Sequence, residues 1–136
     1  MPQMRIREAA AYLGVSDDTV RRWIDRGLLS ARADGSGRKV VDGYEVAMVA
    51  REHAAPPGLP PGLRSSARNR FVGLVTDIRT DAVMAQVELQ CGPFRVVSLM
   101  SSEAVRDLGL EPGSVAVAAI KSTNVVIETA DRKGPA

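Results

Sequence analysis

A chain of 136 residues is long enough for one medium domain or two small ones, and at 45% hydrophobic and 25% charged it has the composition of a globular protein. A formal charge of +2 does not by itself announce a nucleic-acid binder, although a basic patch can sit inside a balanced total. The single cysteine, Cys91, excludes an internal disulfide; with no charged-then-apolar leader and no apolar run of membrane-spanning length, the expectation is a soluble, cytoplasmic protein with no membrane partner.

The first 52 residues read mostly as helix. In "REAAAYLGV", Ala9, Ala10, Leu13 and Val15 form an apolar stripe and Gly14 stops the helix. "SDDTVRRWIDRGLL" restarts one, with Ser16 as N-cap and Asp17 and Asp18 at the positive end of the helix dipole. Its buried face is Val20, Trp23 and Ile24, and Gly27 ends it. A third helix is expected after Asp42, through "GYEVAMVARE".

Two short helices joined through Gly14-Val15-Ser16 match a helix-turn-helix whose second helix would enter the major groove of double-stranded DNA. Its exposed start carries Thr19, Arg21 and Arg22, able to meet phosphates, a thymine methyl or guanine edges. "SARADGSGRKVV" then predicts a hairpin with Arg38 and Lys39 on its far side, placed to reach the DNA backbone or minor groove. From residue 4 to about 50 this stretch resembles the winged helix-turn-helix of the MerR and excisionase families. The opposing reading makes the arginines a solvated face, nearly neutralised by Asp17, Asp18 and Asp25; the agreement of turn, arginines and basic hairpin favours DNA.

"EHAAPPGLPPGLRSS" marks a boundary. Pro56, Pro57, Pro60 and Pro61 exclude helix interior and favour extended geometry, and Gly58 and Gly62 loosen it. At about 3.1 Å per residue, the connector over 53–64 spans up to roughly 35 Å. A second domain is expected over 65–128, with 129–136 as a tail.

Beyond the connector the texture is β. "RFVGLVTDI", "AVMAQVELQ" and "FRVVSLM" read as strands, the second with Val83, Ala85, Val87 and Leu89 alternating against polar partners. "SSEAVRDLGLEPG" is a helical insert with Ser101 or Ser102 as N-cap and Gly109 as its stop. In "VAVAAIKSTNVVIE", Val115–Ile120 and Val125–Ile127 each read as a strand. The predicted fold is therefore α+β in two domains: a small helical winged helix-turn-helix, then an OB-like five-stranded β-barrel with one short helix.

Three polar clusters interrupt this β texture: Ser65 to Arg70, then Ser98, Ser101 and Ser102, then Lys121, Ser122 and Thr123. They offer hydroxyls, cations and backbone N–H groups but few carboxylates and no His or Cys, so no metal cation site is expected. Such a set suits a small tetrahedral oxyanion. "SARNRFVGLV", "VVSLMSSEAVRDLGLEPG" and "AVAAIKSTNVVIE" together resemble the molybdate-binding molbindin domain, also called TOBE or Mop, over residues 65–128. That resemblance implies an OB-like barrel that assembles into homo-oligomers, with molybdate or tungstate held at subunit interfaces. Ser66, Arg68 and Asn69 match its first anion-contacting element, Ser101 the second, and Lys121 with Ser122 the third, with Thr123 beside them. Ala104 stands where the family often carries a further hydroxyl, one donor fewer.

Joined, the halves predict a one-component transcriptional regulator that binds DNA and senses molybdate or tungstate. Two alternatives are a molybdate or tungstate storage or buffering protein, and a DNA-binding protein whose barrel only oligomerises it. No nucleophile–base pair, metal cluster or phosphate loop points to an enzyme.

Overall fold

The computed structural model describes residues 2–54 and 58–130; Pro56 and Pro57 of the connector and residues 131–136 of the tail lie outside the described residues. The chain divides into two compact units, residues 1–55 and 56–136.

The first unit runs β1 (Gln3–Arg5), α1 (Ile6–Leu13), α2 (Asp17–Asp25), β2 (Ala31–Ala33), β3 (Lys39–Asp42) and α3 (Gly43–His53). Helix α1 ends because Gly14 takes φ 69°, a left-handed conformation that costs glycine little. Ser16 Oγ accepts the Thr19 N–H (3.2 Å) to start α2, and Asp42 Oδ2 accepts the Glu45 N–H (3.1 Å) to start α3. Strands β2 and β3 form an antiparallel hairpin, and β1 pairs with the other edge of β3. Ala9, Val20, Leu29, Val41, Val46 and Val49 make the core under these elements. Trp23 and Ile24 are only half-buried against it. The connector starts one residue later than expected, because His53 still belongs to α3 and its ring lies 5.1 Å from that of Trp23.

The second unit runs β4 (Asn69–Thr80), β5 (Met84–Cys91), β6 (Phe94–Ser101), α4 (Ser102–Leu108), β7 (Val115–Ile120) and a 3-10 turn at Ser122–Asn124. Its strands form one curled antiparallel sheet in the order β6-β5-β4-β7. On β5 the alternation buries Ala85, Val87, Leu89 and Cys91, which pack with Val75 and Val105. The register of β4 against β5 shifts between Val75 and Asp77, where β4 bends. Close approach of β4 and β5 depends on Gly73: a Cβ there would lie 2.6 Å from Cys91 Sγ and from the Gln90 carbonyl oxygen. Ser101 is the N-cap of α4, while Ser102 is buried and pins the helix through Oγ to the Asp81 carbonyl (2.8 Å).

Two sequence expectations need correction. Val83 is not in the strand; it lies in the turn that Asp81 closes by accepting the N–H groups of Val83 and Met84, both at 2.8 Å. Those two hydrogen bonds, Met84 first, hold the Asp81 carboxyl below its ordinary pKa. Nor is Val125–Ile127 a strand: among the described residues the sheet has four strands rather than five. The 3-10 turn carries the chain away from β7, leaving Val126 80% and Ile127 86% exposed with no ladder partner. With β6 and β7 each paired on one side only, an apolar groove of about 820 Å³ stays open on the sheet, lined by residues of both strands and by Leu108, Leu110, Pro60 and Leu63. Among the described residues, no helix is long and apolar enough to cross a membrane.

Candidate functional site

On the first unit, the start of α2 presents a short chain of side-chain hydrogen bonds. Ser16 Oγ and Thr19 Oγ1 lie 3.0 Å apart, and Arg22 Nη2 donates to Thr19 Oγ1 (3.1 Å). Arg21 makes an exposed ion pair with Asp18 at 3.4 Å, weak in water and easily exchanged for a phosphate. Arg21 and Arg22 are exposed and Thr19 is half-buried, on a helix whose opposite face, at Val20, is fully buried.

Arg38 and Lys39 are exposed at the β2–β3 turn. That turn is organised by Asp34, whose Oδ1 accepts from Ser36 Oγ (2.7 Å), Ser36 N (2.8 Å) and Arg38 N (3.0 Å). The Ser36 hydroxyl, followed by the Arg38 and Ser36 amides, keeps the Asp34 carboxyl below its ordinary pKa. Arg38 thus leaves the hairpin from a fixed backbone.

On the second unit, the pairing of β4 with β7 sets Asn69 opposite Ile120, and Asn69 Nδ2 donates to the Ile120 carbonyl (3.1 Å). This register brings the segment Ser66, Arg68 and Asn69 to the strand end from which Lys121, Ser122 and Thr123 emerge. Arg68 Nη1 donates to the Ser66 carbonyl (3.2 Å), and Lys121, Ser122 and Thr123 are all exposed. Arg70, the last residue of the first polar cluster, donates to Ser65 Oγ (3.1 Å). Arg68, Arg70 and Lys121 form no ion pair with any described carboxylate. Two clusters far apart in sequence, carrying cations, hydroxyls and amides, thus adjoin the same end of the β4–β7 pair.

Ser101 does not lie at that end. It pairs with Met84 at the start of β5, beyond the Thr80 end of β4, whereas Asn69 is the other end of the same strand. Along β4 the path between those ends is roughly 36 Å at about 3.3 Å per residue. Ser101 Oγ accepts the Ala104 N–H (3.0 Å), which leaves its hydroxyl hydrogen free to donate. Within one copy, therefore, the expected oxyanion ligands fall into two groups at opposite ends of β4. Among the described residues, no three His, Cys, Asp or Glu side chains cluster as a metal site would need.

Comparison with known proteins follows the same division. Residues 4–47 match a helix-turn-helix domain and residues 65–127 the TOBE domain, neither of them an enzyme family. Molybdenum-pterin-binding protein 3 of Clostridium pasteurianum is 40% identical over 63 residues, 46% of this chain and 93% of that protein. The molybdenum transport protein ModE of Herbaspirillum seropedicae is 40% identical over 68 residues, 49% of this chain but 25% of that protein. Among solved structures, a molybdate binding protein from Sporomusa ovata is 27% identical, with a TM-score of 0.48, covering 49% of this chain and all of that one.

Proposed function

The chain belongs to the TOBE-domain family through residues 65–127, and from that premise we propose that it is a one-component transcriptional regulator that binds double-stranded DNA and responds to molybdate or tungstate. The observation that supports this reading is the β4–β7 register, which sets Asn69 opposite Ile120, with Ser66 and Arg68 just before the one strand and Lys121, Ser122 and Thr123 just after the other. A tetrahedral dianion needs several donors and little competing negative charge, which is what these residues offer. Molybdate and tungstate are nearly isosteric and both larger than sulfate, so cavity size would separate the pair from sulfate.

Ser101 completes the ligand set from a second copy: its distance from those residues in one chain, and the open groove between β6 and β7, support self-association of the second unit. The anion then lies between copies and favours the assembled arrangement. It shifts DNA affinity only as far as it binds one arrangement better than another.

In the first unit, Thr19, Arg21 and Arg22 contact the major groove and its phosphates. The β2–β3 hairpin acts as the wing of a MerR- or excisionase-like domain, with Arg38 and Lys39 on the backbone. One such module touches few base pairs, so paired copies on repeated half-sites supply the specificity. The close relation of the second unit alone to a molybdenum-pterin-binding protein favours a second reading, oxyanion storage with an idle first unit.

Two titrations decide. Calorimetry with molybdate, tungstate and sulfate should give heat with the first two and none with sulfate, and Lys121→Ala should abolish it while DNA binding persists. Anisotropy of labelled genomic DNA fragments should rise on adding protein and change with molybdate, and Arg21→Ala should remove that signal while anion binding persists. DNA silence with intact anion binding would select storage. Equal damage to both activities by both substitutions would sink the two-module division.

A further inference from the structure

The outward face of α2 carries an acid where a polyanion would lie. At 3.6 residues per turn, Asp18 stands about 160° around the helix from the buried Val20, with Arg21 and Arg22 on either side of it. Its side chain is 90% exposed, whereas Asp17 beside it is half-buried. Both acids suit the positive end of the helix dipole. Among the described residues, however, only Asp18 of the two pairs with a cation, its Oδ1 lying 3.4 Å from Arg21 Nη1. Arg22 is engaged elsewhere, with Thr19 and through it Ser16. The exposed face therefore divides into a Ser16–Thr19–Arg22 chain and an Asp18–Arg21 pair.

The first residues of a recognition helix are the ones that meet base edges. A carboxylate placed there sits in the negative field of the phosphates and is tolerated only against a hydrogen-bond donor. The major groove offers two, the amino groups at cytosine N4 and adenine N6. The order of groups separates them. A G·C edge shows two neighbouring acceptors, guanine N7 and O6, and then the cytosine donor; an A·T edge places its donor between two acceptors. Arg21 supplies neighbouring N–H donors and Asp18 an acceptor next to them, which is the complement of the G·C order. Guanine O6 and cytosine N4 are themselves hydrogen-bonded, about 2.9 Å apart. The 3.4 Å between Arg21 Nη1 and Asp18 Oδ1 is close to that spacing, so the pair can address both bases without parting.

We infer that Asp18 and Arg21 act as one unit that selects a G·C pair, Arg21 donating to guanine N7 and O6 and Asp18 accepting from cytosine N4. The inference rests on the DNA binding proposed above and names the base pair it favours. Asp18 works largely by rejection: over thymine the carboxylate faces the O4 oxygen with no proton between them. The same charge repels phosphates, so Asp18 weakens binding to duplex in general while sharpening the choice among sequences.

Sites selected by the full chain from a randomised duplex pool, followed by anisotropy on the selected site and on versions with each G·C pair changed to A·T, test this. At one position the change should cost the wild type about tenfold in affinity. Asp18→Ala should bind unselected duplex more tightly and lose most of that penalty, so the protein and DNA changes are non-additive. Asp17→Ala removes a first-turn acid that has no arginine partner; it should cost comparable helix stability and leave the penalty at its wild-type value. Selected sites without a preferred G·C pair, or a penalty that Asp18→Ala leaves intact, would overturn the inference and leave DNA binding standing. A duplex pool that stays unbound even at low salt would remove both.

Discussion

The units over residues 1–55 and 56–136 have the same formal charge balance, yet one is finished and the other is not. Of the seventeen exposed large apolar side chains among the described residues, three (Tyr12, Leu28 and Tyr44) belong to the first unit and fourteen to the second. The first unit closes on itself because three helices and a small sheet enclose Val20, Leu29 and Val41 from all sides. The second has a single sheet, one helix of seven residues and a groove left open along both sheet edges. Apolar area left in water at this scale is the mark of a surface that meets a partner. On the function proposed above, a DNA-reading unit can work as a self-sufficient body, whereas a unit that takes its ligand between copies is incomplete alone.

The sharpest way to test that contrast is to damage one unit and ask whether the other notices. Leu29→Ala should destabilise the first unit by about 2–5 kcal/mol, the cost of a cavity at a fully buried leucine, and leave molybdate calorimetry unchanged. An equal loss of anion binding would mean the units are not independent. Leu99→Asp, on the β6 side of the groove at a site 72% exposed, should leave the monomer folded and weaken assembly roughly a hundredfold, read by sedimentation. Ser16→Ala should cost about 1 kcal/mol, because the Thr19 N–H loses its cap, and should loosen the Thr19–Arg22 contact. DNA affinity should then fall while sedimentation stays as it was.

The smallest effect concerns acid. Asp81 has a folded-state pKa below its unfolded one, so its contribution is fully present above the ordinary carboxylate range and is lost as pH falls through the folded value. Thermal unfolding of the second unit should therefore hold steady from neutral pH to about pH 5 and weaken below about pH 4. Asp81→Asn should flatten that acid limb. Asp34 does the same for the hairpin of the first unit, so Asp34→Asn should affect the acid limb of that unit only.

Local chemistry made most elements legible in the sequence. Gly14, Ser16 and Asp42 bound the helices because their roles depend on neighbours three or four residues away. The alternation on β5 was readable for the same reason. What escaped was non-local. The three residues of β1 carry no strand pattern and pair only because β3 lies beside them. Val125–Ile127 has every strand preference but no partner within its own chain, and propensity says nothing about whose sheet a segment joins. For the candidate oxyanion site, residue chemistry picked out three clusters, but only the register shows that Asn69 faces Ile120 while Ser101 lies at the other end of β4.

The stack of Trp23 on His53 gives the chain an unlabelled optical reporter. Every tyrosine and tryptophan, Tyr12, Trp23 and Tyr44, belongs to the first unit, and the second has only Phe71 and Phe94. In the near ultraviolet the second unit is almost dark. Emission from Trp23 thus follows unfolding of the first unit and events at α2 without contribution from the barrel. A change in that emission when an oxyanion binds the second unit would be a message received across the connector.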